Sequence, residues 1–326
     1  MTGGPDGGAY GATPPEGYEG LNRYSRIIVD EALRRGIHVE VLDADIGELV
    51  LSLDGRRVTT VESLSEVTNA VAFRRCDHKV QTRRVLQAAG LCLPPGRIAT
   101  FDDDDLDFLA QCKDIVVKPA RGEGGHGVTV GVVDPEELAP ALKEASAVCR
   151  EVLLEQRCEG EDLRIVVIDG EVVAAAVRRP PTVAGTGVHT VAELVEALDR
   201  SRSEATDGAS RVPLDKRTAE VVRAAGFELD SVLPEGTVLA VRRTANLHTG
   251  GTIHDVTHEL HPHLAAVAVA AAEAIGIPVL GLDLMVPAVD APDYQIIEAN
   301  EQPGLANHEP QPTAERFIDM LFGPPA

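Results

Sequence analysis

The chain contains no tryptophan, and aromatic residues make up only 3% of its 326 positions. Its cores must therefore be built from Val, Leu, Ile and Ala, although the hydrophobic content of 44% is ordinary for a globular protein. No apolar run is long enough to span a membrane. The best, Leu264 to Ile275, is short, rich in Ala and carries Glu273. The opening residues, Met1-Thr2-Gly3-Gly4-Pro5-Asp6, have neither a basic start nor an apolar stretch, so no signal peptide is expected. Five cysteines (Cys76, Cys92, Cys112, Cys149, Cys158) are scattered, odd in number and without a C-x-x-C pair. That argues against a disulfide frame and for a reducing, cytoplasmic setting. Positive charge is scarce as well. Only 30 Lys and Arg stand against 52 Asp and Glu, a net charge of −22. A surface this acidic repels nucleic-acid phosphates, so neither DNA nor RNA is an expected partner. Any site for a phosphorylated ligand has to be locally basic against the global field.

A chain of this length can hold two or three small domains. Residues 1–20 are rich in Gly and Pro with no apolar period and are expected to form a disordered tail. Residues 21–75 read as a small α/β N-terminal domain. It has a helix over Ser25–Arg35 ended by Gly36, then strands at Val39–Leu42 and Leu49–Leu53, the second turned at Asp54-Gly55 into Arg57–Thr59. Residues 76–326 form a second unit. It opens with a helix over Asp77–Ala89, followed by a buried strand, Ile115–Lys118, and its hairpin partner Val128–Val132. A helix over Leu138–Arg150 and a strand at Val152–Glu155 come next, and a second hairpin turns around Asp169-Gly170. The acidic run Asp102–Asp105 fits a solvated helix start, favoured by the macrodipole, better than a metal cluster. Residues 180–236 are expected to be a polar, mostly helical insertion. An Ala-rich helix, His263–Ile275, then precedes two apolar strands. There is no internal repeat.

Those last strands carry Asp283 in Gly281-Leu282-Asp283-Leu284-Met285, and Glu298 with Asn300 in Ile297-Glu298-Ala299-Asn300. Two carboxylates and a carboxamide offer hard oxygen ligands that suit Mg²⁺, an ion that prefers sites completed by substrate phosphates. Upstream, Lys118 ends an apolar strand and leads into Pro119-Ala120-Arg121-Gly122-Glu123-Gly124-Gly125-His126-Gly127. Glycines let backbone N–H groups approach an anion, and a lysine at the end of a buried strand needs an anion or water. The loop is not a P-loop, for no G-x-x-x-x-G-K-[ST] occurs. It is not a dinucleotide fingerprint either, because a strand follows it. The chain thus reads as an ATP-using enzyme.

These motifs, with Leu154-Glu155, Glu161-Asp162-Leu163-Arg164 and Asn246-Leu247-His248-Thr249-Gly250-Gly251, occur in the order expected of an ATP-grasp ligase. Residues 20 to 326 resemble the branch holding the ligase domain of cyanophycin synthetase and bacterial glutathione synthetase. Arg242–Asp255 and Glu298–Phe322 are most similar to N-acetylglutaminylglutamine synthetases. The resemblance implies an α+β ATP-grasp fold with nucleotide held between two α+β subdomains. The smaller is a lid over about 90–155, and a small α/β N-terminal domain precedes both. It implies ATP and Mg²⁺ as cofactors and small-molecule amino acid substrates, with a homodimer usual among relatives. Lys79 and Lys118 would contact ATP, Gly122, Gly124, Gly125 and Gly127 would fold over its phosphates, and Glu155 would line the adenine pocket. Asp162 would hold the ribose and Arg164 would reach the phosphates. Arg242 or Arg243, with Asn246, would stabilise the transferred phosphoryl and the acyl intermediate; strand alternation places only one of the two arginines inward. Asp283, Glu298 and Asn300 would ligate Mg²⁺. That enzyme usually carries an acetyltransferase domain ahead of the ligase, where this chain has its Gly- and Pro-rich tail, so acetylation of the donor stays open.

The expected activity is amide bond formation. ATP phosphorylates a Glu- or Gln-like carboxylate, an amine attacks the acylphosphate, and ADP and phosphate leave. A γ-glutamyl amino acid ligase, a phosphotransferase on the same scaffold and a non-catalytic nucleotide-binding regulator are the alternatives. His254 and His258 have the spacing of zinc ligands, but Pro262 interrupts the helix and no H-E-x-x-H occurs. Cys76 has no evident general base. Arg178-Arg179 fits either a rim for a substrate carboxylate or a solvated strand end.

Overall fold

The computed structural model describes residues 13–206, 208 and 210–324. The first twelve residues of the expected tail lie outside that range. Nearer the domain, Tyr18–Gly20 form a 3₁₀ turn, and Tyr18 Oη donates to Asp30 at 2.8 Å, tying this segment to the first helix.

Helix α1 (Arg23–Arg34) starts at Asn22, whose side chain accepts from the Tyr24 and Ser25 amides. An antiparallel meander follows: β1 (His38–Asp43), β2 (Glu48–Leu53), β3 (Arg56–Val61) and β4 (Leu64–Ser65). Val39, Leu49, Leu51 and Val58 face Ile28, Val29 and Ala32 of α1. The helix expected over Asp77–Ala89 is present as α3 (Lys79–Ala88), and a further helix that was not expected, α2 (Ala70–Asp77), precedes it. His78 between them is extended, because the Lys79 amide is taken by the Ala120 carbonyl at 2.9 Å rather than by a helical partner. Ala72 and Cys76 of α2 sit in the core of the C-terminal half, and Arg75 donates to the Ile275 carbonyl. A boundary at 75/76 would cut this helix, so the chain crosses into its second domain near Asn69.

The lid comprises β5 (Gly96–Ile98), α4 (Asp103–Cys112), β6 (Ile115–Pro119), β7 (Thr129–Val132), α5 (Pro135–Val148) and β8 (Val152–Gln156). Its sheet runs β5-β8-β6-β7 over a core from Leu109 to Leu154. The acidic run starts α4, with the Asp102 side chain accepting from the Asp104 amide.

The large sheet is built from β9 (Glu161–Ile168), β10 (Glu171–Arg179), β13 (Thr252–Asp255), β14 (Val279–Val286) and β15 (Gln295–Asn300), in the antiparallel order β13-β10-β9-β14-β15. Between β10 and β13 lies the insertion, with β11 (Thr182–Ala184), α6 (Val191–Ala205), α7 (Lys216–Ala224) and β12 (Val238–Ala240). The helices agree with the polar, mostly helical segment expected there, but an apolar core was not expected. Val183, Val191, Val195, Val222, Leu233 and Leu239 close a separate apolar core, and its two strands pair with each other. Helix α8 (Pro262–Ile275) precedes β14, and α9 (Thr313–Phe322) ends the described fold. No helix among the described residues is long and apolar enough to cross a membrane.

Strand alternation positions the site. Leu163, Ile165, Val167, Leu280, Leu282 and Leu284 face α8. On the opposite face, Val166, Ile168 and Val279 are covered by the N-terminal domain and α9. That cover stops short of Asp162, Arg164 and Asp283, which share the same face further along.

Candidate active site

Cross-strand register sets the charged cluster. Asp283 stands opposite Arg164 on one side and Glu298 on the other, and Arg178 stands opposite Asp162. Arg164 pairs with both Asp283 oxygens, Nη2 to Oδ2 at 2.9 Å and Nε to Oδ1. Arg178 bridges Asp162 at 2.6 Å and Asp283 at 3.1 Å. Burial alone would raise the Asp283 carboxyl, but the two guanidinia outweigh it and hold it below its ordinary range. Asp162 is shifted the other way. Burial and the charge of Asp283 push it up, against the pull of Arg178. Asn300 Nδ2 is 3.4 Å from Asp283 Oδ2 and donates to the Gly281 carbonyl at 3.2 Å.

A bulge in β15 leaves Ile297 out of register between Ile296 and Glu298. Its carbonyl accepts from Lys118 Nζ at 3.3 Å, which joins the lid to the large sheet. Lys79 adds a second bridge. Its Nζ is 2.9 Å from Glu298 Oε1 and donates at 2.9 Å to the carbonyl of Gly122 in the glycine loop. Distant parts of the chain thus converge on one cleft, lined by Lys79, Arg83, Lys118, Glu155, Ile297 and Glu298. The cleft is narrow, with about 10 Å³ of free space, no more than one water needs.

The remaining expected residues have these surroundings. Glu155 is buried between Lys118 and Arg83, so its carboxylate compensates two cations. Arg242 is also buried, but it turns into the insertion and pairs with Asp215 at 2.8 Å. Arg243 is exposed and donates to the Val130 carbonyl at 2.6 Å. Neither reaches Asp283. Asn246 caps the turn at Leu247–Thr249 through the His248 amide, and its Nδ2 lies 3.5 Å from the Gly124 carbonyl. Gly122, Gly124, Gly125 and Gly127 all have positive φ. At Gly127 a Cβ would also stand 2.9 Å from Val148 of α5, so glycine is what lets the loop lie on that helix.

Three residues join the site that sequence reasoning did not assign to it. Arg83 lies one turn past Lys79 on α3, a spacing that signals a shared face. Arg178 was read as a rim or a strand end and is instead largely buried among the carboxylates. His308 follows β15 in the 3₁₀ turn Leu305–His308 and is 5% exposed. Burial, reinforced by Arg164 and Arg178, pushes its pKa down to about 4. The Cys76 thiol is buried and pushed up, which suits a core residue rather than a nucleophile. His261 accepts from the His263 amide at the start of α8, and no group of three or more His, Cys, Asp or Glu among the described residues could hold a metal. Asp283, Glu298 and Asn300 are only two carboxylates and an amide. That set fits Mg²⁺, which usually takes one or two carboxylates and completes its shell with water and phosphate.

Comparison with known proteins agrees with this geometry. The model of the prokaryotic glutathione synthetase ATP-grasp domain matches residues 84–192. Cyanophycin synthetase of Nostoc sp. is 34% identical over 319 residues, covering 93% of this chain and 35% of that protein. The glutathione biosynthesis bifunctional protein GshAB of Pasteurella multocida is 29% identical over 329 residues, covering 94% and 43%. The crystal structure of a bifunctional glutathione synthetase from Pasteurella multocida superposes with a TM-score of 0.66 at 26% identity, covering 94% of this chain and 44% of that one. The chain spans well under half the length of these relatives. It folds as an ATP-grasp domain, close to those of cyanophycin synthetases and bifunctional glutathione synthetases at about 30% identity.

Proposed function

We propose that this chain is an ATP- and Mg²⁺-dependent carboxylate–amine ligase. The observation that carries the reading is the double contact of Lys79, which joins the glycine loop to Glu298 beside Asp283 and Asn300. Five cations (Lys79, Arg83, Lys118, Arg164, Arg178) face four carboxylates (Glu155, Glu298, Asp162, Asp283) here. These groups nearly balance in a chain of net charge −22, so a polyanion meets less repulsion here than the global field would impose, although Glu301 also lies near Glu298, Asp77 and Glu123.

Bound ATP would lie between lid and large sheet, with Lys79 and Lys118 exchanging their carboxylate and carbonyl partners for phosphate oxygens. Asp283, Glu298 and Asn300 would hold Mg²⁺, which neutralises the phosphates when bound. Arg164 and Arg178 lie next to that set and are pre-oriented by carboxylates, so they are placed to stabilise charge on the transferred phosphoryl. The carboxylate of the donor acid would attack the γ-phosphorus, and the amine of the acceptor would then displace phosphate from the acylphosphate. Lid closure keeps water from that anhydride.

The proposed donor is a Glu- or Gln-type acid and the proposed acceptor a second amino acid, the reading that the resemblance of Arg242–Asp255 and Glu298–Phe322 to N-acetylglutaminylglutamine synthetases implies. The test is incubation with Mg²⁺-ATP and single amino acids in the presence of hydroxylamine. ADP together with a hydroxamate of one acid supports the reading and identifies the donor. ADP with a stable phosphorylated product and no hydroxamate would make the protein a phosphotransferase.

A further inference from the structure

The insertion is rooted in the large sheet at both ends, since it leaves from β10 and returns to β13, and those strands pair with each other. The lid is joined to the rest of the chain elsewhere, through residues 89–95 and 157–160. Yet three side chains reach across from the insertion and the turn behind it, each to a different lid element. Arg243 donates to the Val130 carbonyl of β7 at 2.6 Å and lies 3.4 Å from that of Gly131. Arg217, in the first turn of α7, pairs with Glu144 of α5 at 2.5 Å. Asn246 approaches the Gly124 carbonyl of the glycine loop. Gly131 has a φ of +79°, and a Cβ there would stand 2.4 Å from Arg243 Nη1. The guanidinium therefore occupies space that only a glycine in this strand leaves open.

We infer that residues 180–251, the insertion and the turn behind it, act as a strap that holds the lid down over the nucleotide cleft, with Arg243 as its positioning residue. The inference rests on the ligase reading for its purpose, but not for its geometry. Arg243 grips main-chain carbonyls, so it senses the position of β7 whatever side chains surround it. Charge-assisted bonds to carbonyls exceed neutral ones in strength. The Arg217–Glu144 pair is half-exposed on both sides and contributes less on its own; it fixes where α7 sits along α5. With the strap fastened, the glycine loop stays against the cleft while the acylphosphate awaits its amine. With it loosened, water reaches the anhydride and cleaves it back to acid and phosphate, so ATP is consumed without amide.

The test uses the full chain as wild type, Arg243→Ala, Arg243→Lys, Arg217→Glu, Glu144→Arg and the last two combined. Two readouts are taken: hydrogen exchange of residues 122–131 with a non-hydrolysable ATP analogue bound, and ADP released per amide formed. Arg243→Ala is expected to speed exchange there about tenfold, equivalent to about 1.4 kcal/mol of opening free energy. It should also raise ADP per amide above the wild-type value of about one, the stoichiometry of a coupled ligase. Arg243→Lys should recover part of both, and the reversed pair should recover what each single reversal loses. Exchange in Arg243→Ala within about twofold of wild type, a change too small to mean loss of a charge-assisted bond, overturns the strap. An unchanged ADP-to-amide ratio overturns its role in excluding water. Should wild type release no ADP with any acid, the ligase reading fails while the exchange readout still decides the strap.

Discussion

Glu298→Gln separates catalysis from folding at one position. The side chain is one-third exposed, and its ion-pair partner is Lys79, at 2.9 Å. A partly exposed pair of this kind is worth no more than about 1 kcal/mol. Glutamine keeps the volume and can still accept from the lysine, so the loss of stability should be about 0.5 kcal/mol. That corresponds to a fall in melting temperature of about 0.7 °C for a chain of 326 residues. The catalytic cost should be far larger. The carboxylate is one of only two charged oxygen donors in the set with Asp283 and Asn300. Losing it removes charge compensation where phosphoryl transfer depends on positioning and electrostatics alone, and one preorganised group in such a site is worth about 100-fold or more in kcat. ADP release would be followed by a coupled assay across a Mg²⁺ titration, beside a thermal melt of the same sample. The expected result is a near-normal melt with kcat down about 100-fold and a raised Mg²⁺ requirement. Activity within about threefold of wild type, well short of that factor, would remove Glu298 from the metal set. A collapse of the melt would instead show that the Lys79 pair is structural.

Two further outcomes follow from the same geometry. Gly127→Ala combines a φ of +69° with a Cβ 2.9 Å from Val148 and 3.3 Å from the Ala145 backbone. It should cost about 1–3 kcal/mol of local stability and raise KM for ATP more than it lowers kcat, as steady-state kinetics would show. His308 is held neutral by burial and by Arg164 and Arg178, with its pKa near 4 in the folded state against about 6.5 unfolded. A depressed folded pKa means full stability above the unfolded value and a progressive loss as pH falls toward 4, amounting to about 3 kcal/mol. Urea midpoints measured from pH 7 to 4 should therefore fall less steeply in His308→Gln than in wild type; parallel profiles would exclude this group as their source.

Much of this was legible in the sequence because it depends on local chemistry. Near-continuous apolar runs specify β9, β10 and β14, the glycines specify a loop free to take positive φ, and Asp283, Glu298 and Asn300 stand out as polar residues on apolar strands. Lys118 at the end of β6 required a partner, and it has two. The apolar core of the insertion was missed because its valines and leucines are spread over some 60 residues and meet only after α6 and α7 fold back on the two strands.

The sequence alone determined which side chains the site could contain and which class of chemistry they support, since residue type fixes charge, donor set and pKa range. Tertiary structure decided which of them face one another. Counting outward from the Asp169-Gly170 turn puts Val177 opposite Asp162, but a bulge between Val172 and Ala174 shifts the register by one and brings Arg178 there instead. A single inserted residue moves every later side chain to the other face, and no local preference in the sequence announces it. In the same way Arg242 and Arg243, side by side in sequence, were drawn to Asp215 and Val130 by packing partners that lie 27 and 113 positions away.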